Sequence, residues 1–223
     1  MIVSFSHRVV FIHIGKTAGD SVTAAFQDIL GAGDVCCENT GLHRLLHKHA
    51  PAHEARTALH ELGYEWRDFY SFCVMRNPFE ILHSDYWYHR RKGQLYPDRA
   101  GTAWESKCIR STTQTFAEYV QAEYGHWDKG FFANYAQSQG ETNRRSILSN
   151  VLRHESLATD FAVCCRLANL PPLVLPRDNA TAAITGQPRP PLHSDYTDDL
   201  IRFVEKMFAE DLELFGYTFA EAV

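Results

Sequence analysis

The stretch Val9–Ser21, VVFIHIGKTAGDS, decides how the rest of the chain is read. Val9-Val10-Phe11-Ile12 is an apolar run of β-branched and aromatic side chains, which reads as a buried strand. His13-Ile14 closes it, and Gly15-Lys16-Thr17-Ala18-Gly19 predicts a tight turn. In the following SVTAAFQDIL, Val22, Phe26, Ile29 and Leu30 stand at helical spacing, with Gly31 as the stop. A strand, a short lysine-bearing loop and a helix, in that order, aim unpaired backbone N–H groups at one point. The positive end of the helix dipole points there too, so an anion can sit there. Lys16 adds a cation, and Thr17 and Ser21 add hydroxyls. A nucleoside-triphosphate loop, Gly-x-x-x-x-Gly-Lys-Ser/Thr, would need its first glycine at position 10, which is Val10. The shorter turn suits one phosphate-sized group. Asp20 is the awkward residue, because a carboxylate beside an anion site is unfavourable unless it points away or caps the helix.

A second strand end carries a second cation. Phe69–Met75, FYSFCVM, reads as a buried strand and runs straight into Arg76-Asn77-Pro78, then into an aromatic-rich helix over Phe79–Arg91. Arg76 can grip a phosphate bidentately, and Ser84, eight residues on, can donate a hydroxyl to the same group. In open parallel sheets, ligands sit beyond the carboxyl ends of the strands, where Lys16 and Arg76 both fall. Apolar strands alternating with helices predict an α/β, three-layer, P-loop-like fold with a central parallel sheet flanked by helices.

Further elements follow from periodicity and breakers. A helix is expected over 52–62, ending at Gly63, and loop over 92–111. A short helix is expected over 115–124, a short strand at Val35-Cys36-Cys37, and another at Val151-Leu152 leading into His154-Glu155-Ser156. A helix over 157–170 ends at Pro171-Pro172, residues 178–192 read as loop, and 131–142 resists assignment. One long helix is expected over 198–215, with Thr197 at its start and Gly216 at its end.

Composition bounds the function. The chain has 223 residues, so residues 1–223 are expected to form a single domain. A net charge of −5 speaks against an electrostatic nucleic-acid partner. The six cysteines form no C-x-x-C, so neither a zinc pattern nor a disulfide framework is read from them. Buried thiols, no signal peptide and no apolar run long enough for a membrane span suggest a soluble, cytoplasmic protein. His43/His47 and His49/His53 are each spaced i, i+4, but without H-E-x-x-H they make a weak metal motif.

The loop Gly15-Lys16-Thr17-Ala18-Gly19-Asp20-Ser21 resembles the 5′-phosphosulfate loop of sulfotransferases that use 3′-phosphoadenosine-5′-phosphosulfate (PAPS). Glycine stands where proline is usual, and Asp20 where a hydroxyl residue is usual. Arg76-Asn77-Pro78 with Ser84 and Tyr86 resembles the family's 3′-phosphate motif. The tail, Asp195-Tyr196 and then Asp211–Tyr217, is similar to that of the Golgi-type carbohydrate sulfotransferases, the group that includes the heparan sulfate 2-O enzyme. Residues 151–157 and 175–180 look similar to that group as well. Residues 92–145 match nothing in it, and acceptor choice is expected there.

The resemblance implies PAPS as co-substrate, bound by Lys16, Thr17, Ala18, Gly19, Asp20, Ser21, Arg76 and Ser84, with no metal required. Lys16 would stabilise the departing phosphate in a loose, in-line transfer. A histidine between the two motifs would be the base, as in the 2-O group. His49 is favoured because it stands at a break before a helix, His47 comes second, and Glu155 is the alternative. The acceptor would be a carbohydrate or small molecule, and the oligomeric state stays open. The rivals are a phosphotransferase or nucleotide hydrolase, and a non-catalytic nucleotide-binding module.

Overall fold

A computed structural model of the chain describes residues 1–36, 43–95, 103–136, 146–176 and 189–223. Cys37, most of the 178–192 loop and the end of the 131–142 stretch lie outside the described residues. The chain divides into two units: residues 1–76 with 131–177, and residues 77–130 with 178–223.

The first unit holds all five described strands: β1 (Ile2–Ser4), β2 (Val9–Ile12), β3 (Val35–Cys36), β4 (Tyr70–Met75) and β5 (Asn150–Arg153). Their order across the sheet is β3-β1-β2-β4-β5. β2, β4 and β5 run parallel, as expected of strands joined by long crossovers. β1 departs from the expected parallel sheet by pairing antiparallel with both β2 and β3. The reason is local: the link from Ser4 to Val9 is too short for a crossover and must turn back as a hairpin. The sheet is therefore mixed with a parallel centre, and the α/β class holds.

Side chains alternate across each strand. Ile2, Val9, Phe11, Phe72, Val74 and Leu152 share one core cluster with Val22 and Phe26 of helix α1 (Gly19–Phe26) and with Phe161, Cys164 and Cys165 of α7 (Leu157–Leu167). Phe11 faces Phe72 in register, with ring centroids 5.1 Å apart. The alternate residues Val10, Ile12, Cys73 and Met75 are fully buried too, so both sheet faces are covered. This unit also holds α2 (Ala52–Glu61) and α6 (Phe131–Ala136). Among the described residues, Cys36, Cys73, Cys108, Cys164 and Cys165 are free thiols.

The second unit is helical among its described residues. It contains α3 (Pro78–Leu95), α4 (Ala103–Thr113), α5 (Phe116–Tyr124), α8 (Leu192–Asp195), α9 (Asp198–Met207) and α10 (Ala209–Phe215). Helix α4 corrects the loop expected over 92–111. Thr115 caps α5 in a capping box with Glu118. The single helix expected over 198–215 is two, broken at Phe208 (φ −110°, ψ 25°), with Thr197 capping the first and left-handed Gly216 ending the second. The buried Asp85 carboxylate accepts from Tyr119 Oη at 2.7 Å, Tyr124 Oη at 2.8 Å and Lys107 Nζ at 3.2 Å, tying α3 to α4 and α5. No helix of the described residues is long and apolar enough to cross a membrane.

A candidate anion site at the carboxyl ends of the strands

The loop after β2 turns in left-handed backbone at Lys16 (φ 64°) and Ala18 (φ 66°), not at its glycines. Each such non-glycine residue is strained by about 1–2 kcal/mol. Left-handed residues flanking Thr17 give a turn of the kind that gathers successive N–H groups around an anion. Thr17 is fully buried, and its Oγ1 donates to the Ile14 carbonyl at 2.9 Å. Its hydroxyl hydrogen therefore closes the turn. Helix α1 starts at Gly19 with no side chain capping it, so the Gly19 and Asp20 N–H groups have no helical carbonyl to bond, while the Ser21 N–H bonds the Ala18 carbonyl at 3.1 Å. Ser21 stands in that turn, and its hydroxyl has no partner among the described residues.

The two glycines serve different ends. A Cβ on Gly15 would meet nothing within 4 Å, whereas one on Gly19 would lie 2.0 Å from His13 Nε2. Gly19 is required because the His13 ring fills the space against the helix start.

Asp20 does not cap the helix. Its carboxylate pairs with Lys48 Nζ at 3.0 Å. Desolvation opposes ionisation of Asp20, but the Lys48 hydrogen bond and charge prevail and hold its pKa below the ordinary value. Lys48 therefore neutralises the carboxylate that looked out of place beside an anion.

Arg76 follows β4 and is 8 % exposed. Its Nη1 donates to the Lys16 carbonyl at 3.3 Å. The two strand ends thus meet at one edge of the sheet, with the Arg76 guanidinium bracing the backbone of a left-handed residue of the loop. Ser84 is buried on α3, in the helical unit.

The turn His47–Ala50, closed by the Ala50 N–H on the His47 carbonyl at 3.1 Å, carries the histidines. Buried Leu46 and Ala50 pin its ends. His49 Nδ1 lies 3.0 Å from the His13 carbonyl oxygen. A carbonyl only accepts, so Nδ1 carries the hydrogen and Nε2 keeps its lone pair. His49 as a residue is exposed. Desolvation of its ring nevertheless lowers its pKa, against the hydrogen bond to His13, so the neutral, proton-accepting form prevails at neutral pH. His47 instead faces Glu54 at 3.3 Å, and His43 faces Glu61 at 2.7 Å. Glu155 is exposed in a 3-10 turn (His154–Ser156) after β5. No cluster of three or more metal-ligating side chains occurs among the described residues.

The structure brings Lys16–Ser21, Arg76 and His49 into one unit. Lys48 and His13 also belong to this site, and the sequence reading did not single them out. Lys48 is hidden by its separation of 28 positions from Asp20, and His13 reads only as the end of a strand. The one available signal was Asp20 itself, a carboxylate demanding a cation.

A family model described as "Sulfotransferase family" matches residues 1–218. No curated protein and no solved structure gives a significant match to the chain.

Proposed function

The chain belongs to the sulfotransferase family, and we propose that it moves a sulfuryl group from PAPS to a hydroxyl of a carbohydrate or small metabolite. The family in general performs sulfuryl transfer with PAPS as donor. The observation that carries this reading is the meeting of the Lys16 loop and Arg76 at the carboxyl edge of the parallel strands.

Residues of the sheet unit offer donors for a bis-phosphorylated nucleotide: the Gly19 and Asp20 N–H groups of α1, Ser21 Oγ and the Lys16 ammonium for the 5′ end, and Arg76 for the 3′-phosphate, with Ser84 read as its companion from the sequence motif alone. PAPS supplies an activated sulfuryl group on a phosphate leaving group. Lys16 and the helix N-terminus offset the negative charge that grows on the leaving oxygen. His49 Nε2 takes the acceptor proton as the new S–O bond forms, while Nδ1–H stays on the His13 carbonyl. Acceptor choice falls to the 92–145 region, where α4 and α5 stand.

A non-catalytic nucleotide-binding module was suggested only by Asp20, and its Lys48 partner weakens that reason. A phosphotransferase is separated by a thermal shift. Adenosine 3′,5′-bisphosphate should raise the Tm more than ATP with Mg²⁺ does, and Lys16→Ala should lose most of that shift. With ³⁵S-labelled PAPS and a panel of sugar and phenol acceptors, label should move in the parent protein and not in Lys16→Ala. A larger shift with ATP·Mg²⁺ would reject the proposal.

A further inference from the structure

We propose that His13 is a positioning residue for His49: its carbonyl oxygen and its ring together hold the His49 imidazole with Nδ1–H inward and the Nε2 lone pair outward. This inference rests on the reading of His49 as the base.

Four contacts meet at His13. Its carbonyl accepts from His49 Nδ1 at 3.0 Å. Its ring meets the His49 ring edge to face, with centroids 4.8 Å apart and planes at 60°. On its other side the ring stacks on Phe11 at 5.7 Å, and at the loop it occupies the space where a side chain on residue 19 would begin. The ring is thus a wedge between strand β2, the start of α1 and the His47–Ala50 turn. His13 is 3 % exposed, and its Nδ1 has no hydrogen-bond partner. An unpaired buried polar atom costs about 1–3 kcal/mol, so the ring is placed here for its position and not for a bond by that atom.

The charge state suits the same role. Burial first, then the Met1 α-amino group, His49 and Lys48, drive the His13 pKa down to about 2, against the pull of Asp20. The charged groups facing the pair are Lys48, Asp20 and that amino group. His13 therefore stays neutral while His49 gains a proton, and two adjacent imidazolium ions never form.

The test is long-range ¹H–¹⁵N NMR of the full chain labelled with ¹⁵N-histidine, from pH 5 to 8. His49→Gln and His13→Phe assign the two rings. The expected result is His49 in the Nδ1–H form, titrating at Nε2, with His13 neutral throughout. His13→Ala should give a mixture of His49 tautomers and move its midpoint toward the ordinary value, while His13→Phe, which keeps a wedge and the carbonyl, should preserve the tautomer. His49 in the Nε2–H form in the parent protein would overturn the inference, and so would an unchanged tautomer and midpoint in His13→Ala. The parent spectrum decides alone if His13→Ala does not fold. Failure of the base reading looks different: ³⁵S transfer would survive His49→Gln, whatever the tautomer.

Discussion

At the scale of single residues, the account turns on charges that offset one another. Lys48 cancels Asp20 at the lip of the loop, a pairing between residues 28 apart in sequence. Lys48→Met should leave Asp20 facing the bound anion and weaken adenosine 3′,5′-bisphosphate binding about fivefold, on the order of 1 kcal/mol. Adding Asp20→Asn to Lys48→Met should restore it. Calorimetric titration of the three proteins checks this, and unchanged binding in Lys48→Met would show that Asp20 does not face the anion. The sequence displayed the lysine, the arginine and the candidate base, because each sits in a short local pattern. It hid Lys48 and His13, whose roles exist only after the chain has folded back on itself. Nor does the sequence show where the strain lies: the turn bends at Lys16 and Ala18, while Gly19 is needed for room.

At the scale of elements, strands β2 and β4 and the helices starting at Ala52 and Phe116 were legible from periodicity and caps. The failures have physical causes. Helix α4, AWESKCIRSTT, carries Ser and Thr in its last turn, which lowers its intrinsic propensity. There Ser111, Thr112 and Thr113 hydroxyls bond to carbonyls three or four residues back, which lets them remain helical. The break at Phe208 carries no proline or glycine to announce it. Strand β1 is three residues long and is fixed by its partners. Asp34 secures this edge of the sheet. Its carboxylate accepts from the Phe5 N–H at 2.7 Å, the Gly31 N–H at 3.0 Å, and the Ser4 and Ser6 hydroxyls, both at 2.9 Å. Partial burial alone would raise its pKa, but these donors outweigh it and hold the pKa below the usual value. Asp34→Ala should lower stability by about 1–2 kcal/mol in urea unfolding, since the carboxylate is only half-buried. A change within about 0.3 kcal/mol would mean that the hairpin holds itself.

At the scale of the whole molecule, histidines held neutral by full or partial desolvation set the response to acid. His13, His49 and His53 all have pKa values lowered, chiefly by burial. Below pH 6.5 the unfolded chain takes up protons on these groups that the folded chain does not, so stability falls as pH falls. For His13, whose folded value is about 2 against 6.5, the slope is about 1.4 kcal/mol per pH unit. Thermal melts should show the Tm dropping from pH 7 to pH 5, and His13→Phe should flatten that drop. A flat profile in the parent protein would mean that His13 is not held neutral. The α/β class and the two strand-end motifs were readable along the chain because both follow from local pattern. The mixed sheet and the division into a sheet unit and a helical unit were not, because both depend on pairings between distant segments.

The central claim is that Lys16 and Arg76 hold the two phosphates of one adenosine nucleotide. It is tested most directly by titrating adenosine 3′,5′-bisphosphate and adenosine 5′-monophosphate into the parent protein and Arg76→Ala. The account predicts that the parent binds the bisphosphate at least about tenfold more tightly, a difference of 1.4 kcal/mol, and that Arg76→Ala binds both alike. Equal affinity of the parent protein for the two nucleotides would contradict it.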